Sequence, residues 1–416
     1  MKVEDPQHIV KSYSPELRLL LYFSGKAGIK QLKQERTDNE HTENNESANE
    51  DLKDIDVSGR QIQWEKIRWD HLAELMASHK LTSLVFPVLE KLKAEIPEGT
   101  YKKIKARNFQ HTRRSLRQIE QTIHLQELFD EEDIPVIFSK GIVLSQELYG
   151  SPTAKNSIDI DLLMPLQYVE KAADLLRERG YHMTYPAISL TPKQTRQNYG
   201  ISHHYGFHNR GKGVHLELHW NLTNPRSLLP LDFEGLYQRS GRIDLNGHQV
   251  NTLSDEDYLV YLAVHGARHQ WCRLNWLLDF STLLTLTDTE ARGKAKEQME
   301  SLGLVRCHQQ ARLMSHLIYR VPENAGEIKT DQISKYFIEK PLKALGELKS
   351  TESLDKLRDM PYHLSLRRAP IFKFNLLFRL RTHHTNWAQI QLPDRLFFLY
   401  YPLRPLLWIW DVLKKK

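Results

Sequence analysis

Asp159 and Asp161 carry the clearest chemical signal in the sequence, in the segment SIDIDLLMP. A regular strand would place both side chains on one face, because successive side chains alternate. Two adjacent carboxylates repel each other, so the pair is costly to bury unless a cation neutralises it or one member is protonated. Mg²⁺ takes hard oxygen ligands from one or two carboxylates together with substrate phosphates. The pair therefore predicts a divalent metal site, and the alternative is a strand end with two solvent-exposed aspartates.

Lys140 and Gly141 follow a short β-branched and aromatic run, IPVIFSKG, and precede the helix-like segment IVLSQELYG. Free backbone N–H groups and the positive end of the helix dipole favour phosphate at such a helix start. A lone Lys-Gly pair at a strand-to-helix turn is weak evidence. The order strand, Lys-Gly, helix, Asp-x-Asp is much less common by chance, and it predicts a phosphate site upstream of the metal pair.

Glu217 lies in HLELHW, where a regular strand puts His215 and His219 on the same face. In one interpretation Glu217 is a third carboxylate beside the aspartates, as a general base or metal ligand. In the other, His215, Glu217 and His219 form a two-histidine, one-carboxylate metal site of a metal-dependent hydrolase. Three consecutive ligands of one strand face would spread over roughly 13 Å, and this spacing argues against the second interpretation.

Four further histidines have no assigned chemistry. His265 and His269 are four residues apart on a predicted helix, but HGARH lacks the glutamate of the HExxH zinc motif, so a packed structural role is favoured. His203 and His204 are predicted to lie in a loop. Their role stays open between structural and functional.

The composition indicates a modular globular protein. With 416 residues, 40% of them hydrophobic, the chain can bury a large core divided over two or three units. Its 58 basic and 52 acidic residues are nearly balanced, so there is no strong nucleic-acid signature, and a nucleotide is a sufficient anionic partner. Cys272 and Cys307 alone exclude a disulfide framework or a cysteine-built zinc site, and reduced thiols suit a cytoplasmic protein.

Three units are predicted along the chain. Residues 1–125 form a helical unit whose polar, acidic segment at about 31–57 is expected to be a flexible insertion. Residues 126–252 hold the strand, helix, loop and strand that carry the candidate residues, and residues 253–416 return to helical periodicity. The architecture is therefore an α+β fold in which a small mixed-sheet core is flanked by N- and C-terminal helical units.

The two terminal segments indicate whether the protein is secreted and whether it contacts a membrane. The first residues, MKVEDPQHIVKSY, lack the apolar run of a secretory signal. The C-terminal segment RLFFLYYPLRPLLWIWDVLKKK is apolar, but Arg404 and two prolines leave it short of a spanning helix. It could dock on the protein or make a peripheral membrane contact, and a solvated basic tail is the alternative. The basic residues concerned are Arg379, Arg381, Arg395, Arg404, Lys414, Lys415 and Lys416.

Taken together, these residues resemble the uncharacterised nucleotidyltransferase family of the DNA polymerase β-like nucleotidyltransferase superfamily. The motifs that carry the resemblance are Lys140-Gly141, Leu148-Tyr149, Lys155, Asp159-Ile160-Asp161, and Glu217 with His219-Trp220. The similarity extends to the helical stretch VHGARHQWCRLNWLLDF and to the Arg-Pro-Leu near the C-terminus. It covers most of the chain outside the acidic insertion.

The resemblance implies a mixed sheet flanked by helices and a metal-dependent transfer of a nucleoside monophosphate. Asp159, Asp161 and Glu217 would bind Mg²⁺ or Mn²⁺, and Glu217 would activate a hydroxyl acceptor. Lys140, Gly141 and Lys155 would contact the phosphates of the nucleoside triphosphate, whose pyrophosphate leaves.

Two departures from the family pattern affect the phosphate contacts. Ile142 replaces the usual small or hydroxyl-bearing residue, and Lys155 stands where arginine is expected, which gives up a bidentate contact. These departures keep open a non-catalytic nucleotide-binding or scaffolding module that retains the fold. The acceptor, the preferred nucleotide and the oligomeric state are not encoded in recognisable motifs.

Overall fold

A seven-stranded mixed sheet forms the centre of the protein. The computed structural model describes residues 6–30, 62–322, 335–346, 359–377 and 384–414, so the predicted insertion at 31–57 lies outside the described residues. The strands are β1 (Ile137–Ser139), β2 (Asp159–Leu163), β3 (His182–Tyr185), β4 (His204–Asn209), β5 (Val214–His219), β6 (Gly241–Leu245) and β7 (His248–Thr252). With helices on both sides of this sheet in the sequence, the predicted α+β class is confirmed.

The strand order is β3-β4-β5-β2-β1-β7-β6. Strand β2 pairs in parallel with β5 on one side and antiparallel with β1 on the other. Its apolar residues Ile160 and Leu162 are buried in the core, together with Leu216 and Leu218 of β5. Because side chains alternate, the polar residues of both strands share the opposite face.

Helices surround the sheet and make up most of the described chain. They are α1 (Gln7–Lys11), α2 (Pro15–Gly25), α3 (Trp69–Ser78), α4 (Thr82–Lys91), α5 (Glu98–Glu131), α6 (Gly141–Tyr149), α7 (Val169–Glu178), α8 (Pro192–Ile201), α9 (Phe233–Arg239), α10 (Asp255–Arg268), α11 (Leu274–Leu286), α12 (Thr289–Ser301), α13 (Val305–Tyr319), α14 (Lys335–Gly346), α15 (Met360–Ser365), α16 (Pro370–Leu377), α17 (His384–Gln389) and α18 (Tyr400–Lys414). Short 3₁₀ or π-helical segments lie at Lys26–Lys30, Trp64–Lys66, Lys93–Glu95, Leu166–Tyr168 and Asp394–Leu399.

Two main hydrophobic clusters hold these layers together. One joins the helices that precede the sheet to those that follow it, with Leu20 and Leu278 among its fully buried members. The other lies on the sheet and includes Leu125 and Phe129 near the end of α5. Helix α5 contributes to both, because Ile104 belongs to the first cluster. The unit boundary placed at 125/126 falls within this helix, so the three-unit division stays a proposal.

The C-terminal helix α18 contacts the protein through one side. Tyr400 is buried with Trp387 and Phe397, whereas Leu406 and Trp410 are exposed. Among the described residues, no helix has both the length and the apolar character needed to cross a membrane.

Gly266 allows the corner between α10 and α11 to close. A Cβ at this position would lie 2.2 Å from the ring of Trp271, which is fully buried and donates to Gln310 Oε1 at 2.9 Å. Gly266→Ala is therefore expected to lower the free energy of unfolding by about 1–3 kcal/mol, although alanine is the better helix former. Urea denaturation measures this change in the free energy of unfolding. Gly293→Ala in α12, with open space around the position, is the control and should stabilise by about 0.5–1 kcal/mol; equal gains in both variants would contradict the packing argument.

Candidate active site

One pocket of about 180 Å³ contains Asp159, Asp161 and Glu217. Both aspartates project from β2, and the parallel register places Glu217 of β5 beside Asp161. Sequence alternation alone puts the aspartates on one face, but only the pairing of β2 with β5 adds Glu217. The three predicted carboxylates are thus brought together at one face of the central strands.

Lys140 and Gly141 form the turn between β1 and α6 at the edge of this pocket. Lys140 Nζ lies 2.9 Å from Asp161 Oδ1. Both residues have positive φ, 63° and 52°, a conformation that is strained for lysine. A Cβ on Gly141 would lie 3.1 Å from Ser157 Oγ and 3.3 Å from the backbone oxygen of Asp159. Glycine therefore lets the start of α6, with its free N–H groups, approach the strand that carries the aspartates.

His219 is the neighbour of two of the carboxylates. Its Nε2 lies 3.1 Å from Asp161 Oδ1 and 3.1 Å from Glu217 Oε2. Burial alone would lower the pKa of His219, but hydrogen bonds to the two carboxylates raise it. Burial likewise opposes ionisation of Asp161, yet Lys140 and His219 hold its pKa well below the usual range. Sequence reasoning assigned His219 only to the alternative metal set and to the family motif.

Asp159 differs from Asp161 because no cation of the described residues forms an ion pair with it. Burial, followed by the charges of Asp161 and Glu217, raises the pKa of Asp159 from 3.8 to about 6, against the opposing effect of Lys140 and Lys80. At Asp159 the neighbouring carboxylates thus outweigh the cations. Its donors are hard carboxylate oxygens, so the residues present fit a divalent ion such as Mg²⁺ or Mn²⁺.

Within the described residues, two groups have ligand atoms close enough to share a metal. One is Asp161, Glu217 and His219; the other is His203, His204 and His219. The geometry therefore adds His219 to the predicted carboxylates, and Asp159 lies in the pocket but outside both groups.

His215 does not join either metal group. Its side chain is exposed, and its ring stacks on His208 with the centroids 4.1 Å apart. The alternative site of His215, Glu217 and His219 is therefore not assembled, for the reason expected from strand rise. His204 begins β4, so the prediction that it lies in a loop was wrong.

The neighbouring histidines pack beside His219 in neutral form. Burial, followed by the charge of His219, lowers the pKa of His203 well below its usual value and that of His204 to about 4. His265 and His269 have rings 4.8 Å apart and both contact the ring of Trp276. Neither belongs to a metal group among the described residues. This arrangement fits the packed role favoured for His265 and His269.

Lys80 is a pocket residue that sequence reasoning missed. It lines the pocket from the turn between α3 and α4, with φ 56°, and it has no ion-pair partner among the described residues. Burial and then the charge of Arg273 lower the pKa of Lys80, while Asp159 and Asp161 raise it. Nothing in the local sequence HKLT distinguishes this lysine, because its position depends on how the N-terminal helices pack.

Lys155 is held by a carboxylate that the sequence did not identify as its partner. Its Nζ forms an ion pair with Asp279 of α11, and the Tyr149 hydroxyl donates to the same carboxylate at 2.9 Å. Asn156 accepts a hydrogen bond at 3.0 Å from the backbone N–H of Ser83 in α4. The loop before β2 is thereby tied to one helix that precedes the sheet in the sequence and to one that follows it. Lys155 still lines the pocket.

Comparison with known proteins gives one family match. The model of a family described as uncharacterised nucleotidyltransferase matches residues 65–320. Among solved structures, an antigenic nucleotidyltransferase-like protein from Paracoccidioides brasiliensis is similar, with 14% identity over 51% of this chain and 96% of that chain, at a TM-score of 0.32. That similarity is too low to support a conclusion about this chain. No curated protein matches.

Proposed function

Since the chain belongs to the uncharacterised nucleotidyltransferase family, we propose that it transfers a nucleoside monophosphate from a nucleoside triphosphate to a hydroxyl acceptor and releases pyrophosphate. The observation that carries this proposal is the meeting of three carboxylates with the start of α6 in one pocket. Asp159, Asp161 and Glu217 would hold Mg²⁺ or Mn²⁺. When bound, the ion would polarise the α-phosphate and offset the charge of the triphosphate.

The nucleotide phosphates are assigned to the side of the pocket formed by α6. The first N–H groups of this helix have no partner within the helix and favour an anion. Lys140 stays protonated, because Asp161, Tyr261 and Glu217 raise its pKa well above the usual value despite burial. Lys80, which has no ion pair with a carboxylate in the part of the chain that the structure describes, supplies a second positive charge.

The acceptor hydroxyl is assigned to the side of Glu217. Burial would raise the pKa of Glu217, but His219 lowers it, so this carboxylate is ionised at neutral pH. An ionised Glu217 can accept a hydrogen bond from the hydroxyl and orient its oxygen for attack. Leu262 and Trp276 line the same pocket and limit the water that competes with the acceptor.

Pyrophosphate release tests this function. Purified protein is incubated with Mg²⁺ or Mn²⁺, each of the four nucleoside triphosphates and a panel of hydroxyl compounds. Metal-dependent release that is lost in Asp161→Asn is expected, whereas Asp174→Asn, an exposed aspartate of α7, should retain it. No release under any condition, together with unchanged metal affinity in Asp161→Asn, would overturn the proposal.

A non-catalytic nucleotide-binding module is the second candidate. The observation that favours it is that Lys140 and Lys155 both contact carboxylates of the protein, which leaves fewer free cations for phosphate. This candidate predicts that calorimetry detects nucleotide binding, while no pyrophosphate is released.

Location and membrane contact are a separate part of the proposal. We place the protein in the cytoplasm, with α18 as the element that would contact a membrane surface. The exposed side chains of Leu406 and Trp410 support this contact.

A further inference from the structure

A second cavity, of about 370 Å³, lies beside the carboxylate pocket and is lined by three arginines of α5. These are the adjacent Arg113 and Arg114, and Arg117 about one turn later. The remaining wall includes Gly213 and His215, at the start of β5. The wall thus combines one face of a helix with the beginning of a strand.

None of the three guanidinium groups has an ion-pair or hydrogen-bond partner among the described residues. Arg113 lies over the exposed ring of Phe109, 5.8 Å from its centroid. A Cβ on Gly213 would come within 2.9 Å of Arg117 Nη1, so glycine leaves the room in which this guanidinium lies. Three clustered cations repel each other, and an anion that binds all three would relieve this repulsion.

Among the described residues of α5, most of the unpaired cations are concentrated at the cavity. Nearer the start of α5, Lys102 pairs with Glu98, and Lys103 and Arg107 pair with Glu74. Lys102, Lys103 and Arg107 thus each contact a carboxylate, whereas Lys105 has no ion-pair partner among the described residues. A compact anion such as a phosphate monoester therefore suits the cavity better than a long polyanion, which needs a continuous basic track.

The two cavities are adjacent and share Ile158, the residue before Asp159. In the sheet, β2 lies between β1, which leads into α6, and β5, which bears Glu217. The arginine cavity is on the β5 side, and His215 is the register partner of Asp159. It therefore lies across β2 from the start of α6, on the side assigned to the acceptor.

We propose that Arg113, Arg114 and Arg117 bind a phosphate monoester carried by the acceptor, whose hydroxyl then reaches Glu217. This inference rests on the proposed transfer for the role of the acceptor, but the anion site itself is defined by the cavity. Arginine suits it, because the planar guanidinium binds phosphate oxygens in a bidentate manner. The acceptor class is accordingly a small phosphorylated hydroxyl compound.

Direct binding tests the site without turnover. The full chain is titrated calorimetrically with ribose 5-phosphate, with ribose, and with a short single-stranded RNA that lacks a terminal phosphate. Ribose 5-phosphate should bind at least about tenfold more tightly than ribose. The double variant Arg114→Gln/Arg117→Gln should lose this preference, while Lys105→Gln, an exposed cation of the same helix, should keep it.

Nucleotide binding separates this inference from the proposed function. A non-hydrolysable nucleoside triphosphate should bind the double variant as it binds the unaltered protein, because its phosphates lie on the other side of β2. The anion site would be overturned if ribose 5-phosphate bound no better than ribose, if the double variant kept the preference, or if only the RNA bound. Loss of catalysis with intact, arginine-dependent binding of ribose 5-phosphate would instead contradict the transfer reaction alone.

Discussion

Asp159→Asn is expected to abolish pyrophosphate release and, at the same time, to stabilise the metal-free protein. The loss should be about a thousandfold, because the variant removes one of the charges that would hold the metal and stabilise the transferring phosphoryl group. The gain should be about 1–2 kcal/mol in free energy of unfolding above pH 6, a value reduced for screening at a partly exposed carboxylate. Aspartate at position 159 thus favours activity, whereas asparagine favours stability of the metal-free protein.

The gain follows from the direction of the pKa shift. Folding raises the pKa of Asp159 from 3.8 to about 6, through burial and the charges of Asp161 and Glu217. Between these two values the folded state binds more protons than the unfolded state, so stability falls as the pH rises. Below about pH 4 both states are protonated and the cost is absent. Above about pH 6 Asp159 is ionised in both states, so its burial lowers the free energy of unfolding by the full amount. Asparagine removes this destabilisation.

Urea denaturation in EDTA at about pH 4 and about pH 8 measures this effect. The free energies of unfolding of Asp159→Asn and the unaltered protein should differ little at about pH 4 and most at about pH 8. Asp174→Asn, which replaces an exposed aspartate outside the pocket, should leave both stability and turnover unchanged. If Asp159→Asn were less stable than the unaltered protein at pH 8, the charge balance inferred for the pocket would be wrong.

Lys155→Met is expected to cost about 3–5 kcal/mol in free energy of unfolding at neutral pH, because it leaves the carboxylate of Asp279 buried without its cation. Only 12% of the Lys155 side chain and 3% of the Asp279 side chain are exposed, so water would replace the lost contact poorly. Of its two partners among the described residues, only the Tyr149 hydroxyl would remain. Thermal or urea denaturation gives the measurement.

The double variant Lys155→Met/Asp279→Asn is the matched control. It removes both charges and should recover most of the lost stability. A role of Lys155 confined to phosphate contact predicts the reverse pattern: full stability in Lys155→Met, weaker nucleotide binding and no benefit from the second substitution. That pattern would refute the structural role assigned to the ion pair.

The sequence predicts the parts of the site that depend on local periodicity. Alternation along SIDIDLLMP and HLELHW placed Asp159 with Asp161 and identified the strand of Glu217, and the Lys-Gly turn lies where the glycine pattern indicated. The parallel register that puts Glu217 beside Asp161 is a long-range contact, which no local pattern encodes. The family resemblance, now confirmed, implied that Glu217 joins the two aspartates but not the strand register that brings it there.

Other elements were missed for different reasons. Strands β3 and β4 are rich in histidine and poor in β-branched residues, so their composition did not indicate strands. The hairpin of β6 and β7 turns at Asn246-Gly247, both with positive φ, and this dipeptide is a hairpin signal that could have been recognised. Lys80 and Asp279 reach the site only through tertiary packing, which a single sequence does not reveal.

The loop before β2 is tied on one side to Ser83 and on the other to Asp279, and this limits how the protein can be divided into fragments. An isolated fragment of residues 126–252 would retain Asp159, Asp161 and Glu217 but not Asp279. It would lose both anchors of the loop that leads into Asp159, together with Lys80 and the wall formed by α10 and α11. The segment of residues 126–252 is therefore not expected to form the pocket when isolated, and the smallest useful fragment reaches from before α3 to beyond α11.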